Sequence, residues 1–397
     1  MTTIEDTPEE AAFRSQVRTA LAARLRPKPP GAAFSVMGAG QDNLDEGRRY
    51  LAVLADGGYA VPTWPVEHGG MAATPDQAAI IAREMSQFEV PDLYPFMVGI
   101  SLVAPTIMTH GTPEQKARWV PPIRSGEEIW CQLFSEPDAG SDLAGLKCRA
   151  ELDGSEWRVT GSKVWSSRAH YSQWGLLLAR TDWSVPKHAG ITAFGLRMDA
   201  PGIEVRPLRQ MNGDTHFNEV FLDRAPVADC DLIGPAGGGW RVAITTLMYE
   251  RGSIGGGFGV SRAELLAHAA ERGAGDDPVL RNRLAHALAD LEVSRMTGLR
   301  ARAASRAGRT PGPEGSGAKL RMAGTLKEIG NLGVDLLGPG GVVEQGDGAE
   351  WRTLFLTGPS LSIRGGTDEI QRSILGERVL GLPPEPRVDK DKPFSAR

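Results

Sequence analysis

The stretch from Trp130 to Ser167, WCQLFSEPDAGSDLAGLKCRAELDGSEWRVTGSKVWSS, constrains the fold more than any other, because an apolar strand, a polar turn, a hairpin and a tryptophan follow one another within it. Trp130 to Phe134 is a short apolar run that stops at Ser135-Glu136-Pro137-Asp138. Pro137 has no N–H to give a ladder, so the chain turns there. Ala139-Gly140-Ser141-Asp142 then offers backbone N–H groups beside short polar side chains, which suits a phosphate or the edge of a flat polar ring as well as an ordinary β-turn. Beyond it, Cys148 to Leu152 and Trp157 to Thr160 flank Asp153-Gly154-Ser155-Glu156, and an Asp-Gly at that spacing predicts a hairpin. A β-domain therefore begins here.

On the amino-terminal side the periodicity is helical. Thr7-Pro8-Glu9-Glu10 supplies a cap, a first-turn proline and acidic residues for a helix running to Leu25. Leu44 to Gly57, Pro75 to Phe88 and Ala104 to Ser125 read as further helices, with loop from Arg26 to Asn43. Strands are expected at Gly175 to Ala179, Ile191 to Leu196, Ile203 to Pro207 and Val220 to Leu222. From Gly239 the pattern is helical again, with Trp240, Ala243, Ile244, Leu247 and Met248 at three- and four-residue steps. Glycines at 252, 255, 256, 257 and 259 follow, either a loop or the close approach of a backbone or flat ligand. Pro278 to Arg306 and Ser316 to Leu337 complete a helical bundle. Ile363 to Arg372 sets Gly365 and Gly366 before a helix start at which Asp368 and Gln371 have capping-box spacing. The tail from Pro383, rich in Pro, Lys and Asp, is expected to be disordered.

The overall balance excludes several classes. With 44 basic and 49 acidic residues in 397, the net charge of −5 favours neither nucleic acid nor a membrane surface as partner. The Arg-rich span Arg281 to Arg309 reads as a solvated or subunit-facing helix surface. Three cysteines without a CxxC, and histidines such as His68 and His110 standing alone, give no metal site and suit a reducing cytoplasm. The acidic start MTTIEDTPEE is unlike a signal peptide. There is no GxGxxG between a strand and a helix, no GxxxxGK[ST] and no GxSxG, so Rossmann-type nucleotide binding and serine hydrolysis lose their signatures.

SEPDAGSD followed some twenty residues later by GSKVWSS resembles the flavin-binding signature of the acyl-CoA dehydrogenases. WPVEHGG, HGTPEQKARWVPPIRSGE and FNEVFLDRAPVADCDLIG resemble other parts of that family, so the similarity runs from about residue 8 to 382. The resemblance implies a mainly α, α+β fold: an N-terminal helical domain (1–128), a middle β-barrel domain (129–235) and a C-terminal four-helix bundle (236–382), with the disordered tail at 383–397. It implies FAD as cofactor, with Phe134, Ser135, Gly140, Ser141, Trp165 and Ser167 at the flavin ring and Thr367 and Glu369 near the helix start that receives phosphate.

The implied reaction is α,β-dehydrogenation of an acyl-CoA thioester, with electrons passing to an electron-transfer flavoprotein. A flavin oxygenase or oxidase of the same fold, and a FAD-binding partner subunit, are the alternatives. Many members carry the catalytic Glu where this chain has Gly365, which has no side chain to take a proton. A subset carries it on the first bundle helix before an Arg, and Glu250-Arg251 stands there. Glu250 is therefore expected as general base, with Ser141, Arg251, Gly365 and Gly366 at the substrate. Where the family has Thr-Asn after the signature tryptophan pair, this chain has Ser167-Arg168, and the usual adenine-side motif is altered at Asp335 to Gly341. A homotetramer, or a heterotetramer with a related chain, is expected.

Overall fold

The computed structural model describes residues 6–29, 34, 36, 38–254, 260–308, 312–343, 346–386 and 390–396. Helices α1 (Pro8–Ala22), α2 (Leu44–Ala55) and α3 (Pro75–Met85) open the chain. Thr7 and Glu10 form a reciprocal capping box on α1, as Thr74 and Gln77 do on α3, so two amide donors at each helix start are satisfied by side chains. The expected helix from Ala104 to Ser125 is two. α4 (Tyr94–Met97) runs through a π-helical stretch, Val98–Val103, into α5 (Ala104–His110), and after Gly111 the Thr112 cap starts α6 (Pro113–Ser125).

Eight strands follow: β1 (Trp130–Leu133), β2 (Arg149–Asp153), β3 (Glu156–Ser167), β4 (Trp174–Arg180), β5 (Ile191–Arg197), β6 (Ile203–Leu208), β7 (Phe217–Ala228) and β8 (Leu232–Ile233). They form one sheet in the order β6-β7-β3-β2-β4-β5-β8, with β1 parallel to β4. The expected hairpin is β2–β3, antiparallel, with Gly154 at φ +67° in its turn. Alternate side chains from six strands, among them Leu133, Ala150, Val159, Leu177, Phe194 and Val220, close around one core. The other core joins the β-domain to the helices through Trp119, Trp130 and Trp174, whose ring centres lie 5.4 to 5.5 Å apart. Edge-on and stacked rings at this separation bury large apolar area in fixed geometry, so the two domains meet rigidly beneath the turn after β1.

The carboxy-terminal part is helical: α7 (Gly239–Ile254), α8 (Arg262–Glu271), α9 (Pro278–Arg306), α10 (Gly315–Leu336), α11 (Ala349–Thr357) and α12 (Asp368–Arg378). α10 is central and packs against α8, α9, α11 and α12. α8 and α11 lie where no helix is expected from the sequence. Both are short, and they gain their stability by packing Leu265, Trp351 and Leu354 onto α10 rather than from a strong pattern of their own. The Arg-rich α9 is laced to carboxylates: Arg283 to Glu328 and Asp335, Arg302 and Arg306 to Asp76, and Arg306 also to Glu10. The sequence thus gives a mainly α chain with one middle sheet, as expected.

Two expectations are corrected. The cap of α12 is Thr367, whose hydroxyl accepts from the Ile370 N–H at 3.2 Å, and not Asp368 with Gln371. Gln371, 2% exposed, instead turns its amide back to donate to the Gly365 carbonyl. The end of the chain is not a free tail over 390–396: Phe394 and Ser395 donate backbone hydrogen bonds to Val185 and Trp183 at 2.9 Å, because Phe394 has an apolar site to fill there. Among the described residues no helix is long and apolar enough to cross a membrane.

Candidate functional site

The turn after β1 is pinned from beneath. Glu136 and Ala139 exchange backbone hydrogen bonds at 3.0 and 3.1 Å, closing the turn around Pro137. The buried Glu136 carboxylate accepts from the N–H groups of Lys147 and Cys148 and from Lys163 Nζ at 2.8 Å. Lys163 also donates to the Phe134 carbonyl at 3.1 Å. β1, the turn and β3 are thus joined by one buried ion pair. Phe134 is 3% exposed and belongs to the interdomain core, so it supports the turn by packing. Ser135 lies against β3, its carbonyl accepting from Val164 N–H. Gly140 and Ser141 are exposed, and a Cβ built at Gly140 meets nothing within 4 Å.

Trp165 sits where β3 slips register against β7, at φ +61°, and its ring is 60% exposed with Phe217 edge-on at 5.8 Å. A non-glycine residue held in this region of backbone space carries strain of about 1 to 3 kcal/mol, which the surrounding ladder must offset. The bulge aims the tryptophan outward and leaves Ser167 half-buried beside it, back in register with Phe217. A large apolar ring next to a hydroxyl, with open space over Gly140, fits a flavin ring.

Arg168, which the sequence reading recorded only as a departure from the family pattern, holds this bulge in place. Its φ is +58° and the residue is 2% exposed. Its guanidinium makes three hydrogen bonds to Asp42, at 2.8 to 3.1 Å, donates to the Gly38 carbonyl and lies 4.5 Å from the centre of the Tyr94 ring. Tyr171 adds a hydroxyl donor to Asp42 at 2.6 Å. Burial pushes the Asp42 carboxyl upward, but the bonds from Arg168 and Tyr171 outweigh it and hold it below the ordinary carboxylate range. Burial, with the Asp42 bond second, raises the Tyr171 phenol. No signal in the sequence joined Asp42 to a site 126 residues away.

α7 approaches the β-domain through Gly239, where an added Cβ would stand 2.7 Å from Thr192 Cα. Its inward face carries Ala243 and Thr246, both wholly buried, and partly buried Leu247. Thr246 meets Thr106 at 3.0 Å, and Thr245 meets His110 at 2.8 Å, which makes His110 a structural residue with a pKa lowered by burial and then by Arg241. Glu250, half-buried, follows Ala243 by seven residues, Thr246 by four and Leu247 by three, so it continues the packed face. The Arg251 side chain and Gly255 to Gly259 lie outside the described residues.

The loop before α12 carries Gly365 at φ +67° and Gly366 at φ +88°. Thr367 spends its hydroxyl on the helix cap, and Glu369 is exposed in the first turn, where its own backbone N–H and then the Thr367 hydroxyl lower its pKa. The loop is linked to α10 through Lys319, 3.1 Å from Asp368, and Lys327, 2.6 Å from the Ser362 hydroxyl. Burial lowers the pKa of Arg364, offset in part by Tyr94. Tyr94 therefore stands between Arg168 and Arg364, linking the β3 bulge to the glycine loop. Cys131 and Cys148 are buried thiols pushed up to about 12 and about 11 by desolvation, so neither is a nucleophile at neutral pH.

Comparison with known proteins places the whole chain in one family. The acyl-CoA dehydrogenase N-terminal, middle and C-terminal domain families match residues 7–127, 131–225 and 237–380. The chain is 40% identical over 381 residues to the acyl-CoA dehydrogenase IpdE1 of Mycobacterium tuberculosis, covering 94% of this chain and 98% of that protein. It is 40% identical over 377 residues to the acyl-CoA dehydrogenase FadE34 of the same organism, covering 93% of this chain and 50% of that one. Among solved structures, the Tcur3481-Tcur3483 steroid ACAD superimposes with a TM-score of 0.80 at 25% identity, over 97% of this chain and 100% of that one. The ChsE4-ChsE5 complex of Mycobacterium tuberculosis does so with a TM-score of 0.75 at 27% identity, over 97% and 100%. With all three domains matched in order and a relative 40% identical over nearly its whole length, the chain belongs to the acyl-CoA dehydrogenase family and is an oxidoreductase of the acyl-CoA dehydrogenase type.

Proposed function

We propose that this enzyme removes hydrogen from the α and β carbons of an acyl-CoA thioester, with Glu250 as the general base. The observation that carries the assignment is Glu250 at the end of the packed face of α7, on a chain whose other family position for the base is Gly365. An α C–H becomes acidic only as negative charge on the thioester oxygen is stabilised, so the base needs a donor near that oxygen. The Gly365 N–H, in a loop held by Gln371, is that donor. Ser141 and Gly366 would border the thioester, and Arg251 is assigned as a substrate or pocket-shaping residue from its place after Glu250 in the sequence.

FAD, when bound, supplies the acceptor for the hydride that leaves the β carbon. Ser135, Gly140, Ser141, Trp165 and Ser167 would hold its ring, with Phe134 behind them, and the helix start at Thr367 and Glu369 would receive phosphate. Trp165, exposed, would lie near the exit towards an electron-transfer flavoprotein. A base on α7 frees the position at Gly365 for a bulky acyl group, and the steroid ACAD among the structural relatives makes a steroid-derived thioester the first candidate. The two-chain ChsE4-ChsE5 relative supports a heterotetramer as readily as a homotetramer. The domains divide near residues 128 and 235.

Anaerobic bleaching of the flavin by a panel of acyl-CoAs, linear, branched and polycyclic, tests the reading. Glu250→Gln is expected to keep FAD and bind the thioester while flavin reduction slows about a hundredfold or more, the scale of a lost general base. Unchanged reduction in Glu250→Gln refutes the assignment of the base. FAD bound but bleached by none of the thioesters replaces dehydrogenation with the role of partner subunit.

A further inference from the structure

Residues 393–395 are not used by the reaction outlined above, yet they dock on the 183–186 segment that follows β4. Pro393 bridges Pro186, and the N–H groups of Phe394 and Ser395 donate to the carbonyls of Val185 and Trp183 at 2.9 Å. Phe394 is 9% exposed and packs its ring on Trp183, centre to centre 5.3 Å. The same ring covers the guanidinium of Arg180, whose central carbon lies 3.7 Å from the ring centre.

Arg180 ends β4 and is wholly buried. Its Nη2 donates to the Ala144 carbonyl at 2.8 Å, its Nε to Leu146 at 3.1 Å and its Nη1 to Lys187 at 3.0 Å. Lys187 in turn places Nζ 2.7 Å from both carboxylate oxygens of Asp142. Two chains of contact therefore run from Phe394 to the segment that follows Ser141: one through Arg180 to residues 144 and 146, the other through the 183–187 loop and Lys187 to Asp142. A guanidinium grips neutral carbonyls firmly only where water is kept away, and an aromatic face over it both excludes water and attracts the charge. The exposed Lys187–Asp142 pair alone is a weak tether.

We infer that Phe394 is a positioning residue for the thioester site: the docked chain end, by covering Arg180, fixes the turn that carries Gly140 and Ser141. The identity of the ligand rests on the proposed dehydrogenase reading, whereas the mechanical link between residues 394 and 141–146 does not. Phe394 touches no reacting atom, so its removal is expected to weaken substrate binding and leave the chemical step alone.

The test compares the full-length parent with Phe394→Ala and Phe394→Tyr, each loaded with FAD. In Phe394→Ala the amides of Gly145 and Leu146 are expected to exchange hydrogen about five- to tenfold faster, and KM for the best acyl-CoA of the panel to rise by a similar factor with kcat within about twofold. Phe394→Tyr, which keeps the aromatic cover, is expected to restore both. Unchanged exchange at 145 and 146 overturns the link between the chain end and the turn. Faster exchange with unchanged KM overturns its role at the thioester. Should the parent reduce its flavin with no acyl-CoA, the dehydrogenase reading and the thioester role fall together, while the exchange measurement still decides the link.

Discussion

Lys163 Nζ lies 2.8 Å from Glu136 Oε1, with the lysine wholly buried and the glutamate 8% exposed. This pair joins the turn after β1 to β3, and Glu136 also accepts from two backbone N–H groups. Removing one partner of a buried ion pair strands the other charge, at a cost of about 3 to 5 kcal/mol. Lys163→Met is therefore expected to lower the urea midpoint strongly. The double variant Lys163→Met/Glu136→Gln should lose less than the sum of the two single variants, since neither charge is then stranded. Additive losses in the denaturation series would show that the two do not act as a pair.

The Asp42 carboxyl is held below its ordinary value by Arg168 and Tyr171. The sign follows from linkage: below the unfolded-state pKa, about 3.9, the unfolded chain takes up a proton at Asp42 that the folded chain does not, so this contribution is present above that pH and is lost as pH falls through the lowered folded value. Asp42→Asn is expected to be less stable than the parent at pH 6 and to show a shallower loss on acidification towards pH 3. Parallel stability profiles for the two proteins in acid would contradict this.

Trp165 and Ser167 together form the shelf to which the flavin ring is assigned. The double variant Trp165→Ala/Ser167→Ala is expected to purify with less FAD than the parent, measured as the 450 nm absorbance per protein. Full occupancy would move the ring elsewhere.

Gly366 has φ +88°, and a Cβ there would stand 2.6 Å from Gln371 Nε2. Gly366→Ala is expected to displace Gln371 from the Gly365 carbonyl and to lower kcat/KM by about tenfold or more, through the thioester donor, with the melting temperature lowered only by a few degrees. A variant with parental kcat/KM would show that this loop does not position the donor.

The helical carboxy-terminal half exposes apolar residues on several elements, among them Met296, Phe355 and Ile363. An oligomer, a tetramer above all, is expected in solution. A FAD-loaded, monodisperse monomer in light scattering would refute it.

The sequence by itself determined most of the elements. Thr7 and Thr74 cap their helices because a short hydroxyl before a Pro and an acidic or amide residue can do little else. Asp153-Gly154 fixed the β2–β3 turn because glycine tolerates the left-handed backbone there. These are local choices, settled within a few residues. What only the tertiary structure decided depends on charges brought together from far apart: Asp42 on Arg168, Glu136 on Lys163, Phe394 on Arg180. A charged side chain enters the interior only when a partner meets it, and no periodicity records which partner that is. For the same reason the chain end, polar by composition, could not be recognised as docked, since a single Phe394 filling a site on another domain outweighs the polarity of its neighbours.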